Sequence, residues 1–328
     1  MNDLEAYPSP ADFWPQVSVI VPIYNGEADV PALIGCLRRQ TYPQNRVEYL
    51  LVDNNSQDGT LELLKAAAQT AQEKGENWQA LSENQIQSSY AARNCGIKAS
   101  QGEILAFTDA DCRPEPQWLE ELIKPFSDRQ IGIVVGELMA FPGTSLLERY
   151  AALTEVMSQR FLLEHPFCPY GQTANLAIRR SALGQVGLFR PYLTTGGDAD
   201  ICWRIQRETH WQLTSAPQAV IAHRHRANFP EFRSQWRRYG RSNRYLHELY
   251  GVDLMPELTW QGWVYRLSRW LVKDLPRLSL KVLAGREPPL KLIQSPIDLL
   301  GYQSRTEGQR QAQLPDRARE IEPFGDRH

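Results

Sequence analysis

Between residues 17 and 139, short uninterrupted apolar runs keep giving way to stretches with helical spacing, and this rhythm limits the possible folds more than any other feature. Val17 to Pro22 (VSVIVP) is β-branched and apolar on both faces, the pattern of a strand buried on both sides. Asp29 then offers a helix N-cap, Pro31 suits a first turn, and Leu33, Ile34 and Leu37 follow at helical spacing. Val47 to Val52 reads as a second strand, and Asp58-Gly-Thr60 opens a helix that stops near Gly75. A third helix covers Ser88 to Ser100, with Gly102 placed for a left-handed cap, and Glu103 to Thr108 is the next strand. A helix from about Glu115 to Phe126 and a strand from Ile131 to Met139 complete the series. The alternation predicts an α/β fold: a mainly parallel, Rossmann-like sheet with helices on both faces. In such sheets ligands sit outside the carboxyl ends of the strands, so the residues just after each strand carry the functional expectations.

Beyond residue 140 the alternation loosens. A helix over Leu146 to Leu163, a strand over Gln172 to Arg179, a helix over Asp198 to Glu208 and a closing strand at Val220 to Ala222 are expected. From His223 to Arg244 seven arginines face one acid, Glu231, which fits either a solvated helix or a contact with anionic lipid. Thr259 to Leu275 is apolar at Trp260, Trp263, Val264, Leu267, Trp270 and Leu271, with Arg266, Arg269 and Lys273 interleaved. That pattern has two readings: a helix lying in a membrane interface, with contact through 259–284, or one packed on the rest of the protein. The organisation expected is a loose arm over 1–15, one large domain over 16–250, an amphipathic extension over 251–290, and a polar tail over 291–328 without fixed structure.

Composition removes several classes. With 36 basic against 38 acidic side chains, the chain does not bind nucleic acid by bulk charge. It holds no run of 18 apolar residues, the length a membrane-spanning helix needs. Its first residues lack the apolar segment of a secretory signal. Five cysteines, never at CxxC spacing, suit reduced thiols in a cytoplasmic protein rather than a disulfide or zinc scaffold.

After the first strand comes Pro22-Ile-Tyr24-Asn25-Gly26-Glu27, with neither GxGxxG nor a P-loop, so neither a dinucleotide fingerprint nor a Walker-type phosphate cradle is present. After the second, Asp53 can accept hydrogen bonds from a base or ribose, while Asn55, Ser56 and Asp58 suit the turn and the helix cap. After the fourth come Asp109 and Asp111, two carboxylates one residue apart that repel unless a cation lies between them. Oxygen ligands of this kind suit Mg²⁺ or Mn²⁺ bridging to phosphates. Gly196-Gly197-Asp198 precedes a helix, where Asp198 is either an N-cap or a general base.

These pieces together resemble family 2 glycosyltransferases of the GT-A fold, inverting enzymes that use nucleotide-diphosphate sugars. The matching segments are VSVIVPIYNGE, LLVDNNSQDGT, SSYAARNCGIKASQGEILAFTDADC, YGQTANLAIRR, GGDADICWRIQRE and QWRRYG, in the family's order over roughly residues 15–250. The resemblance implies a nucleoside pocket lined by Pro22, Tyr24 and Glu27, with Asp53 and Asn54 reading the base. A second aspartate is common where Asn54 stands here, which leaves uracil and guanine both open, with a UDP-sugar favoured. Arg93 and Asn94 would lie on the helix facing the donor. Asp109 would contact ribose and metal, Asp111 metal and diphosphate, and His223 would complete the metal site or else be a core histidine. Asp198 matches the catalytic base, with Gly197 where the family usually has glutamate. Gln235, Arg238 and Tyr239 resemble the QxxRW signature, with tyrosine replacing tryptophan, and would approach acceptor and diphosphate.

The expected activity is therefore metal-assisted transfer of a sugar to a hydroxyl of a saccharide or lipid-linked acceptor, with the protein cytoplasmic or peripheral on the cytoplasmic face of a membrane. Two other classes stand beside it. A sugar nucleotidyltransferase would need a glycine- and arginine-rich loop where this chain has PIYNGE. A silent nucleotide-sugar-binding partner subunit would have no use for a base.

Overall fold

A computed structural model of the chain describes residues 13–325. The arm expected over 1–15 lies, apart from its last three residues, outside the described residues. In chain order the elements are β1 (Val17–Ile23), α1 (Val30–Arg38), β2 (Val47–Asp53), α2 (Thr60–Gln72), β3 (Asn77–Ser82), α3 (Ser89–Ala99), β4 (Ile104–Phe107), β5 (Cys112–Pro114), α4 (Trp118–Ile123) and β6 (Ile131–Ala140). Then follow α5 (Leu146–Thr154), α6 (Arg160–Leu163), β7 (Leu176–Arg179), α7 (Arg180–Val186), α8 (Gly197–Glu208), β8 (Gln212–His223), α9 (Phe229–Tyr250), α10 (Trp260–Arg269), α11 (Leu275–Leu283) and α12 (Lys291–Gln311).

The chain divides into two compact units. The first holds the residues up to 139, then 158–223 and 316 onward; the second holds 140–157 and 224–315. Among the described residues the strands form one eight-stranded sheet in the order β3-β2-β1-β4-β7-β6-β8-β5. The half β3-β2-β1-β4 is parallel, as the crossover helices require, while β7 pairs antiparallel with both β4 and β6, and β5 antiparallel with β8. All residues of β1, β2 and β4 are buried, which is why their sequences show no alternation.

Several local expectations are corrected. Asp29 stands at the N-cap of α1 but makes no capping bond; its carboxylate pairs with Arg113 at 2.6 Å. Gly102 has no positive φ. A Cβ there would lie 2.5 Å from Ser18 N, so close backbone approach rather than a left-handed turn demands glycine. The helix expected to Phe126 ends at Ile123 and tightens into a 3₁₀ turn carrying Pro125. The helix expected over 146–163 breaks at Glu155, whose φ of 49° is left-handed. Of the strand expected over Gln172–Arg179, residues 173–175 form a 3₁₀ turn, and β8 runs the full length Gln212–His223.

The largest correction lies in the second unit. The tail expected over 291–328 contains the 21-residue helix α12, packed against α9. Small residues make the contact: a Cβ on Gly240 would lie 1.9 Å from the Arg305 carbonyl oxygen, and one on Gly308 2.0 Å from that of Arg237. Arg237 pairs with Glu307 at 3.0 Å across the same contact. Accordingly α9, read from the sequence with the large domain, belongs with the C-terminal helices.

Candidate active site

The carboxyl ends of β1 and β2 give one rim of the first unit. Asp53, the last residue of β2, is 2% exposed. Its Oδ2 accepts the Ser56 N–H at 3.3 Å, while Oδ1 is buried with no hydrogen-bond partner among the described residues. An orphaned buried acceptor is the kind of atom a ligand's N–H or hydroxyl satisfies. Beside it the loops after β1 and β2 are stitched together. The Gly26 N–H donates to Thr60 Oγ1 at 2.9 Å, the Glu27 N–H to Asp58 Oδ2 at 3.2 Å, and the Gly59 N–H to Glu27 Oε2 at 3.0 Å. Glu27 and Asp58 are therefore loop staples, which fits the turn reading of Asp58. Pro22 stays in β1 beside Val52, and the Tyr24 ring projects 53% exposed.

Asn54 is committed elsewhere. Its Nδ2 donates to the carbonyls of Glu83 at 2.9 Å and Ile86 at 3.0 Å, and its own carbonyl accepts from Gln87 Nε2 at 2.8 Å. The side chain builds the wall formed by the 83–87 loop.

After β4 the two aspartates part company. Asp109 accepts Arg93 Nη2 at 2.6 Å, from a guanidinium that is itself buried. Asp111 faces His223, with Nε2 to Oδ1 at 3.4 Å. The β5–β8 register explains that meeting: Cys112 lies opposite His223, which brings the last residue of β8 to the residue just before β5. Donor atoms of Asp111, Cys112 and His223 all lie within 4.8 Å of one another. Burial, with the charges of Asp111 and Asp109, pushes the Cys112 thiol well above its ordinary range, and hard cations such as Mg²⁺ prefer oxygen ligands to a thiol. A carboxylate and an imidazole remain, a donor set that fits Mn²⁺ or Mg²⁺ keeping water or phosphate oxygens as further ligands.

Asp198 sits in the first turn of α8 and accepts the Thr173 hydroxyl at 2.8 Å. The next residue, Ala174, has its carbonyl 3.9 Å from the Cys112 thiol, so Thr173 links the start of α8 to the segment that carries Asp111. Asp200, two residues on, is fully buried between Arg190 at 2.8 Å and Arg204 at 3.0 Å. That buried ion pair is a structural use of an aspartate. Side chains of α3 hold the loop leading in. Tyr90 OH accepts the Gly197 N–H at 2.9 Å, Ser88 Oγ donates to the Leu193 carbonyl at 2.8 Å, and Asn94 clamps both backbone groups of Phe189.

Gln235, Arg238 and Tyr239 lie on α9 in the second unit. Gln235 Nε2 donates to Tyr239 OH at 3.1 Å, that hydroxyl lies 3.4 Å from Met157 Sδ, and Arg238 is exposed. Sequence reasoning singled out none of Thr173, Tyr90 and Ser88, although they lie inside the matching segments YGQTANLAIRR and SSYAARN; the approach of distant segments gives them a role.

Two family profiles match this chain: Glycosyl transferase family 2 over residues 18–187, and Glycosyl transferase family group 2 over 104–284. Glycosyltransferase AglE of Haloferax volcanii is 36% identical over 211 residues, covering 64% of this chain and 67% of AglE. Pre-mycofactocin glycosyltransferase of Mycobacterium tuberculosis is 32% identical over 157 residues, 46% of this chain and 33% of that one. The chain thus spans about two thirds of the first relative and one third of the second. Among solved structures, mannosyltransferase PcManGT from Pyrobaculum calidifontis, in complex with GDP-Man and Mn²⁺, matches with a TM-score of 0.63 at 17% identity, over 94% of this chain and 91% of that one. Glucosyl-3-phosphoglycerate synthase from Mycobacterium tuberculosis matches at 0.52 and 19% identity, over 76% and 86%. At such identities the likeness is one of fold, and the fold is GT-A.

Proposed function

The chain belongs to glycosyltransferase family 2, and from that premise we propose that it moves a sugar from a nucleotide-diphosphate donor to a hydroxyl of a saccharide or lipid-linked acceptor, with inversion. The observation that carries this reading is the position of Asp198. It is held by the Thr173 hydroxyl at 2.8 Å, one residue from the segment that meets the Asp111 and His223 strands.

The chemistry follows from charge. Breaking the anomeric C–O bond leaves negative charge on the diphosphate and positive charge on the ring. A divalent cation held by Asp111 and His223 would supply Lewis-acid stabilisation of that diphosphate. Asp53 accepts hydrogen bonds from the nucleoside, with Tyr24 beside it as an aromatic face. Arg93 fixes Asp109 for the ribose. Asp198 takes the proton from the acceptor hydroxyl as its oxygen bonds to the anomeric carbon and the diphosphate departs. One in-line displacement inverts the centre. A thermal-shift panel of UDP-, GDP- and dTDP-sugars with Mn²⁺, followed by nucleotide-release assays, tests the proposal. It predicts stabilisation by a UDP- or GDP-sugar and release of nucleoside diphosphate; release of pyrophosphate, or no donor binding, would contradict it.

For the acceptor side we propose that α10 and α11 rest on an anionic bilayer surface. Neither helix buries a residue; Trp260 is 76% and Leu283 85% exposed. Residues 260–291 carry seven basic and two acidic side chains in a chain of net charge −2, the mixture that binds anionic interfaces. Behind α10 a cleft of about 420 Å³ is lined by Trp263, Leu267, Ile293 and other apolar side chains, with Gln303 as its polar member. No helix among the described residues is long and apolar enough to cross a membrane. Co-sedimentation should be strong with vesicles containing phosphatidylglycerol, weak with phosphatidylcholine alone, and lost in Trp260→Asp/Leu283→Asp. Equal behaviour of that variant and the wild type would remove the proposal.

A further inference from the structure

We infer that residues 316–322 form a strap that sets the position of the loop leading into the helical turn that carries Asp198, with Arg190 as the positioning residue between them. The inference rests on the reading of Asp198 as base and adds what holds that base in place.

The loop from Gly187 to Gly196 has no regular structure of its own and must be positioned by contacts. From one side α3 and α8 grip it: Asn94 clamps Phe189, and the Arg204 guanidinium donates to the carbonyls of Val186 and Leu188 at 2.6 and 2.7 Å. From the other side the C-terminal segment closes on it. The Leu188 N–H donates to the Glu322 carbonyl at 2.9 Å, and the Glu322 carboxylate pairs with Lys98 of α3 at 2.6 Å. Arg317 stacks over the Tyr192 ring, 3.9 Å from its centroid. The approach is tight: Gly187 has φ of +81°, and a Cβ there would lie 2.7 Å from Ile321 Cγ2 and 2.8 Å from the Glu322 carbonyl oxygen. Ala318, in the short 3₁₀ turn of the strap, is fully buried.

Arg190 joins this strap to α8. Its Nε donates to Asp200 Oδ1 at 2.8 Å, and its Nη1 donates to the Arg319 carbonyl. Asp200 is fully buried in the first turn of α8, two residues from Asp198. A shift of the strap therefore pulls on a buried ion pair rather than on a flexible surface side chain. That pair is built into the same helical turn as the base, so displacement reaches the Asp198 carboxylate. A misplacement of about 1 Å at a reacting group costs on the order of 10²-fold in rate, and a partial loosening costs less.

The test uses the full-length protein with Arg317→Ala/Ile321→Ala, which weakens the strap without touching donor or base. Arg190→Lys serves as a second variant, since it keeps a cation for Asp200 and drops the reach to Arg319. Three quantities are read below the melting temperature: hydrogen exchange of the Leu188 amide, kcat, and donor KM, with Asp198→Asn assayed alongside. The expected result is Leu188 exchange at least about tenfold faster and kcat lower by roughly 5- to 10-fold with donor KM unchanged. Unchanged Leu188 exchange would show that the strap does not hold the loop. Faster exchange with wild-type kcat, while Asp198→Asn is inactive, would reduce the strap to a stability element and overturn the inference. Turnover retained in Asp198→Asn would overturn the base assignment and this role with it.

Discussion

The Thr173 hydroxyl donates to Asp198 Oδ1 at 2.8 Å, joining the turn before β7 to the first turn of α8. A hydrogen bond to a carboxylate is worth about 1.5–3 kcal/mol, and here it fixes the direction in which the other carboxylate lone pairs point. Thr173→Val should lower kcat by roughly tenfold or more with donor KM unchanged, and Thr173→Ser should restore most of it. Steady-state kinetics that separate kcat from KM decide the matter; a variant that loses donor affinity instead would place Thr173 elsewhere in the mechanism.

The Asp111–His223 pair makes a second prediction. Asp111→Ala should abolish activity and the response to Mn²⁺ together. His223→Gln should raise the Mn²⁺ concentration for half-maximal activity by roughly 10- to 100-fold, the scale of disturbing a metal's ligand environment. Metal titrations of apo-protein followed by activity and by Mn²⁺ paramagnetic resonance read both. A fully active, metal-independent Asp111→Ala enzyme would refute the site.

Asn54→Asp tests the wall of the proposed donor pocket. The amide donates to two backbone carbonyls, of Glu83 and Ile86. A carboxylate would lose both bonds and set negative charge against carbonyl oxygens, at a cost of about 1–3 kcal/mol. Chemical denaturation should show that loss, and donor KM should rise as the 83–87 loop loosens. Unchanged stability with altered base preference would return Asn54 to a reading role.

His165 gives a pH dependence. Burial lowers its pKa below the ordinary 6.5, and its Nδ1 accepts the Phe167 N–H at 3.3 Å while the ring packs on Tyr170 and Trp203. The folded state thus favours neutral imidazole. Its contribution to stability is complete above pH 6.5 and is lost as pH falls through the lower folded value. The melting temperature of the wild type should decline from pH 7.5 to 5, and His165→Phe, which keeps a ring and cannot ionise, should flatten that part of the decline. An identical slope in the variant would assign the decline to other groups.

Much of the first unit was legible because its strands are buried on both faces and the carboxylates proposed for the site lie close to their ends. Asp53, Asp109, Asp111 and His223 sit where strand ends predict. Partners across the fold were not legible. Nothing near Thr173 signals that it meets Asp198, and Asn54 looks like a base reader until the 83–87 loop is seen around its amide. Helix α12 escaped because, beyond Ile297 and Leu299, its buried residues are Gly301, Ser304, Thr306, Gly308 and Gln309. Small and polar residues form that contact, so no apolar period announces it. The strap escaped for a related reason: its grip is largely through backbone carbonyls, which carry no sequence signature.

The central claim is that the carboxylate at position 198 accepts the acceptor's proton across from a metal-held diphosphate. The most direct measurement is the single-turnover rate of Asp198→Asn with saturating donor and acceptor, beside donor affinity by calorimetry. The account predicts a rate lower by roughly 10²–10⁴-fold with donor affinity within a factor of about two, since a uniform binding contribution is not what is removed. Weakened donor binding with an intact rate at saturation would contradict it.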